Sequence, residues 1–183
     1  MLLLLVSIPA TAKPLKIGLF GDGGGSPTKY INDKQPPKTL EMIEIWSSSD
    51  VAGSGAVING IRFTYIDDKG TQRIVPSKNG TWGSANGTLH KVTINTDKQE
   101  YVTKIEGGIG KAFDEDLGIT SLKFTTKKSN NRQTYGPYGD PNNGTPFSVP
   151  LENAAIVGFF ASFDTHLNGL GFYALQLASG NNA

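Results

Sequence analysis

Five consecutive residues near the C-terminus, Asp164-Thr165-His166-Leu167-Asn168, put an acid, a hydroxyl, an imidazole and an amide into one short stretch. Groups of these types serve nucleophilic catalysis, metal ligation or ligand recognition, and the rest of the chain discriminates among them. A Ser-His-Asp arrangement needs a histidine beside an activated serine. The chain has two histidines, His90 and His166, and no G-x-S-x-G. His90 falls in a strand pattern and is expected at the surface. Glycosidic cleavage needs two carboxylates facing across a cleft, and the acids here fall mostly in turn sequences, with no pair set apart. Asp114-Glu115-Asp116 lacks the alternating oxygen ligands of a calcium loop, so no metal is expected. "DGGGS", Asp22 to Ser26, is followed by neither a helix pattern nor a lysine and is not a phosphate loop.

The elements that must position the polar stretch read as short strands. "LKIGLFG" (15–21) runs into three consecutive glycines, which a strand interior does not tolerate. "TLEMIEIWSS" alternates as a half-buried strand with Ile43 and Ile45 on one side. "GIRFTYIDDKGTQRIV" is the clearest hairpin, with Ile61, Phe63 and Tyr65 on one face, Arg62 and Thr64 on the other, and the turn at Asp67–Gly70. Val92 and Ile94, then Tyr101, Thr103 and Ile105, then Leu122 and Phe124 repeat the two-residue period. "FSVPL", "AIVGFF" and "LGFYALQL" complete the set, the last two flanking the polar loop. Roughly ten to twelve strands separated by turn clusters predict an all-β sandwich, barrel or prism with almost no helix. Glycine-rich stretches at 23–25, 53–60 and 107–110 hint at a repeated plan.

At 183 residues the chain is expected to form one domain. It has 23 glycines, 10 prolines and no cysteine, so packing and backbone hydrogen bonds must hold it without disulfides. A net charge of +1 gives no electrostatic attraction to nucleic acid or to an anionic membrane. Lys127, Lys128 and Arg132 read as a solvated basic loop. Residues 1–12, "MLLLLVSIPATA", are too short to span a bilayer. They end in the small-x-small pattern of a cleavage site and are expected to be a short signal peptide preceding a domain at 13–183. The expected location is then the secretory pathway, with the cytoplasm as the alternative. In the secretory pathway Asn79, Asn86 and Asn143 are sequons open to glycosylation.

A β scaffold with glycine-rich loops and one polar loop suits a binding module. Sugars are held by backbone N–H groups and short polar side chains at fixed angles. Glycine lets the backbone approach the ring closely, and short side chains lose little entropy on binding.

Several motifs in order resemble the jacalin-related lectins, especially the mannose-binding type of grasses. They are "KIGLFGDGGGS", "YVTKIEGGIG" followed by "GITSLKFTTKK", "YGPYGDPNNGTPFSVPLENAAIVGFF" and "LNGLGFYAL". The resemblance covers nearly all of residues 15–178. It implies a β-prism of three four-stranded Greek-key antiparallel sheets with pseudo-threefold symmetry. It also implies non-catalytic binding of mannose- or glucose-type glycans without metal or cofactor, and partners that are mono- or oligosaccharides and glycoproteins. A homodimer or higher homo-oligomer and a role in plant defence follow from the same resemblance.

The resemblance carries site residues with it. Gly25 of the first glycine loop is expected to offer a backbone N–H. The family's closing G-x-x-x-D pattern falls on Asp164, Thr165, His166, Leu167 and Asn168, with Gly108 and Ile109 as side walls. The pattern's glycine is here Asp164 and its aspartate is Asn168. A charge-assisted hydrogen bond is about twice as strong as a neutral one. The exchange of acid for amide is expected to cost on the order of 1–2 kcal/mol, about tenfold in affinity. The Asn168 NH2 is expected to face the sugar hydroxyls, and Asp164 to tolerate a left-handed backbone. No second site is expected in "SSSDVAGSGAVINGIRF". The alternative is a degenerate lectin that serves as a protein-interaction or structural module.

Overall fold

The computed structural model of the chain describes residues 13–21, 27–48, 56–112 and 117–177. Among them are twelve β-strands. The first six are β1 (Leu15–Gly21), β2 (Pro37–Ser47), β3 (Ile58–Asp67), β4 (Gln72–Val75), β5 (Trp82–Gly83) and β6 (Thr88–Thr93). The others are β7 (Tyr101–Lys111), β8 (Leu117–Lys128), β9 (Asn131–Gly139), β10 (Thr145–Pro150), β11 (Ala154–Phe163) and β12 (Leu167–Gln176). The only helical turn among the described residues is a 3-10 turn at Thr96–Lys98. No helix among them is long and apolar enough to cross a membrane.

The pairing repeats one plan three times. Strands β7, β8 and β9 follow one another, and β10 returns beside β7, giving the spatial order 10-7-8-9. Strands β2, β3 and β4 do the same, with β6 returning beside β2 and the short β5 beside β3. In the third set the order is β11, β12, β1, and the chain then returns beside β11 at Lys29. Lys29 and Ala161 exchange both backbone hydrogen bonds, at 2.7 and 3.0 Å. Three consecutive strands plus a fourth beside the first is the Greek key. The third set differs in drawing its strands from both ends of the chain. One pair, Ile156 opposite Val102, joins it to the β7–β10 set. All pairings are antiparallel, and the architecture is an all-β prism of three Greek-key sheets.

The three sheets meet on aromatic rings. Phe159 of β11 is fully buried and takes Phe63 of β3 at 5.1 Å, Phe124 of β8 at 6.5 Å and Phe172 of β12 at 5.9 Å. All three contacts are edge-to-face, the arrangement ring quadrupoles favour. The unbroken apolar run of β11, AAIVGFFASF, reflects burial on both faces. While Phe159 points to the axis, Phe160 lies on the outer side, covered by Tyr30 at 5.3 Å and Tyr173 at 5.5 Å.

The hairpin expected around Asp67–Gly70 is present, with the Gly70 N–H donating to the Asp67 carbonyl at 3.1 Å. The C-terminal half of β2 is not half-buried as its alternation suggests. Residues Ile43 to Ser47 are all buried, because charged side chains close the outer face. Glu44, 2% exposed, is gripped by Arg62 Nε at 2.5 Å and Lys91 Nζ at 3.1 Å. Arg62 also lies over the Trp46 ring and donates to the Lys78 carbonyl at 2.6 Å. Lys127, Lys128 and Arg132 are strand-end residues of the β8–β9 hairpin rather than a loop.

Two buried carboxyls, Glu44 and Asp67, tie stability to pH. The hydrogen bond from Arg62 is the main cause holding Glu44 below the usual carboxylate range, with Lys91 assisting against burial. Burial alone would raise Asp67. The N–H of Thr71, the Arg73 guanidinium and the N–H of Lys69 together outweigh it and hold this carboxyl low. Groups depressed in the folded state stabilise above their unfolded pKa of about 4 and lose that contribution as pH falls through the folded value. Thermal melts should therefore show Tm falling below about pH 4, with a shallower fall in Glu44→Gln. Phe159→Ala should lose about 3–5 kcal/mol in urea titration, by cavity formation where three sheets meet.

Candidate functional site

The polar stretch lies at the hairpin between β11 and β12. Only Asp164, Thr165 and His166 form the turn, because Leu167 and Asn168 already belong to β12. The Asp164 N–H donates to the His166 carbonyl at 3.1 Å and closes the turn. Asp164 and Thr165 are exposed, whereas His166, Leu167 and Asn168 are buried, at 4%, 0% and 2% exposure. The His166 ring leans on β8, and its Nδ1 lies 3.4 Å from Thr165 Oγ1. The side chains of His166 and Leu167 thus hold the turn down, and what this part of the turn can offer a ligand is backbone.

The expected left-handed backbone at Asp164 is not found. The described non-glycine residues with positive φ are Gln99, Ser129 and Asn153. Asp164 carries no such strain. Asn168 also differs from expectation: its Nδ2 donates to Asp164 Oδ2 at 3.2 Å rather than pointing outward. Its Oδ1 is shielded from solvent and accepts no hydrogen bond from the protein.

Two other elements converge on this turn. β1 ends at Gly21, opposite Gly169, and with φ of +98° the Gly21 Cα faces the Asn168 carbonyl so closely that a Cβ would strike it. The first glycine loop starts from this point. Gly25, and the rest of 22–26, lie outside the described residues. From the other side comes Gly118 of β8, paired with Gly110 of β7, where a Cβ would sit 2.8 Å from His166 Cδ2. Gly108 is buried under the turn at Asn143, and half-buried Ile109 is paired with Ile119 and Thr145. Gly118 and Gly21 were missed in the sequence. Their signal was present only as glycines at strand ends, without an indication of what approached them. Trp82 and Phe163, stacked at 6.2 Å, back the turn where β11 ends.

His90 is half-buried on β6, hydrogen-bonded to Ser47 Oγ at 2.9 Å and stacked on Tyr138, and burial lowers its pKa. It is remote in the chain from the turn and has no carboxylate among these contacts. Among the described residues no group of three histidines and acids could hold a metal; Asp114 to Asp116 lie outside them.

A three-key β-prism with a polar hairpin turn beside the end of its first strand defines a class of carbohydrate-binding domains. The jacalin-like lectin domain matches residues 17–173, and the chain belongs to this family, whose members bind carbohydrate without catalysis. Horcolin of Hordeum vulgare is 40% identical over 163 residues, which span 88% of this chain and 97% of horcolin. A mannose/glucose-specific lectin of Parkia pendula is 31% identical over 165 residues, 87% of this chain and 31% of that longer protein. Among solved structures, a mannose-binding jacalin-related lectin from Ananas comosus superposes with a TM-score of 0.74 at 28% identity, covering 89% of this chain and 98% of that one. Malaysian banana lectin gives 0.69 at 26% identity, covering 89% and 99%.

Gly21→Ala should strain the backbone by about 1–3 kcal/mol and push β1 off Asn168. The expected readout is a lower Tm together with loss of whatever ligand binding the wild type shows.

Proposed function

We propose that this chain binds mannose- or glucose-type glycans through the first glycine loop, with Gly25, and the turn and strand start at 164–168. The supporting observation is the convergence of the end of β1 on Asn168, which brings residues more than 140 positions apart in sequence to one place. Relatives described as mannose-binding and mannose/glucose-specific support the sugar class. In this reading the buried His166 and Leu167 contribute backbone N–H groups, and Gly108 and Ile109 belong to a neighbouring wall. Association into a homodimer or larger homo-oligomer would multiply avidity for glycoprotein surfaces. Residues 1–12 act as a leader that sends the chain to the secretory pathway, supported by the apolar run Leu2–Ile8 and Ala10-Thr11-Ala12.

The second reading, a degenerate lectin used as a protein-interaction or structural module, draws on Asn168 standing where the family pattern has an acid. Calorimetric titration of the full chain with methyl α-mannoside and methyl α-glucoside separates the two. Saturable binding in the micromolar to millimolar range is expected. A folded protein silent at tens of millimolar sugar, and blank on a glycan array, sinks the first reading and leaves the second.

A further inference from the structure

We infer that the sugar-accepting carboxylate of this protein is Asp164, four residues before the position where the family pattern has its acid, and that Asn168 is its positioning residue. The inference rests on the mannose/glucose reading above and names the group that carries it.

Three observations lead to it. Asn168 is 2% exposed, and its side-chain oxygen is shielded, so a sugar hydroxyl cannot reach it without displacing β1 or the turn. Asp164 is exposed on the same turn, at its outer edge. The two side chains are joined, Asn168 Nδ2 donating to Asp164 Oδ2 at 3.2 Å. This direction is the only one that suits an amide and a carboxylate, since a carboxylate only accepts. The amide thus restrains the carboxylate from below.

The exchange of residue types is therefore coupled. With an aspartate at 168 and a glycine at 164, the acid stands at the start of β12. With asparagine at 168 and aspartate at 164, the charge moves to the turn, and the amide that replaced it becomes a donor to that charge. A carboxylate accepts from two hydroxyls of a hexose as a charge-assisted pair, and an amide-held carboxylate is restricted before the sugar arrives, which limits the entropy lost on binding. The ligand class is a pyranose that offers free hydroxyls to one carboxylate.

The coupling makes a prediction opposite to simple restoration of the family residue. In Asn168→Asp a second carboxylate would face Asp164 at close range, and two adjacent carboxylates disfavour each other's ionisation. Calorimetry with methyl α-mannoside on the full chain should show wild-type binding, a Kd about tenfold or more weaker in Asp164→Asn, and no gain in Asn168→Asp. The double variant, Asp164→Asn with Asn168→Asp, should stay as weak as Asp164→Asn alone, because its one carboxylate lies at the shielded position 168, and Asp164→Glu should retain part of the affinity. Unchanged thermal melts identify folded variants. Should Asp164→Asn fail to fold, Asp164→Ser replaces it, and the shift of the Asn168 side-chain NH2 resonances on adding mannoside to the wild type reads the same link. Asp164→Asn binding within twofold of wild type, or tighter binding by Asn168→Asp alone, overturns the inference while leaving the lectin reading intact. Absence of mannoside and glucoside binding by the wild type overturns both.

Discussion

The edge-to-face contacts of Phe159 with Phe63, Phe124 and Phe172 hold the structure together, because each ring comes from a different part of the prism. A four-stranded antiparallel sheet alone buries only one face, and three such sheets can bury their inner faces only against one another. The axis must therefore be filled by side chains large enough to reach it from three sides. Phenylalanine does this without introducing a polar atom that would need a partner. Ile45, Ile61, Ile105, Ile119 and Leu122, all fully buried, fill the space around the rings.

That central packing also places the site. β11 carries Phe159 at the axis and, four residues on, Phe163 at the start of the polar turn. Fixing one end of the strand fixes where Asp164 stands. The third Greek key takes strands from both chain ends, so the end of β1 is brought against Asn168 only after the whole chain has closed. The other two keys are continuous in sequence. The polar turn thus occupies the key whose completion depends on the rest of the fold.

Much of the fold was legible because the sequence periods are local. β1 matches "LKIGLFG" residue for residue, and the Asp67–Gly70 turn follows from the acid and glycine that it needs. The double burial of β2 was not legible, since Glu44 reads as a solvent-facing residue until Arg62 and Lys91 are brought to it from two neighbouring strands. The same limit applied at the site. The motif order marked 164–168 as the stretch to watch, yet the side-chain directions at Asp164 and Asn168 could not be read from residue types alone.

By itself the sequence determined the all-β class, most turn positions, the family and the presence of Asp164 and Asn168 where the family pattern has glycine and aspartate. These depend on residue identity and on contacts between near neighbours. Only the tertiary structure decided that Asn168 is buried under its own turn, that its amide faces Asp164, and that Gly21 and Gly118 are the close neighbours of this stretch. The physical reason is that burial and hydrogen-bond direction are set by what packs on a residue, and here the packing elements come from β1 and β8, about 150 and 50 positions away in the chain.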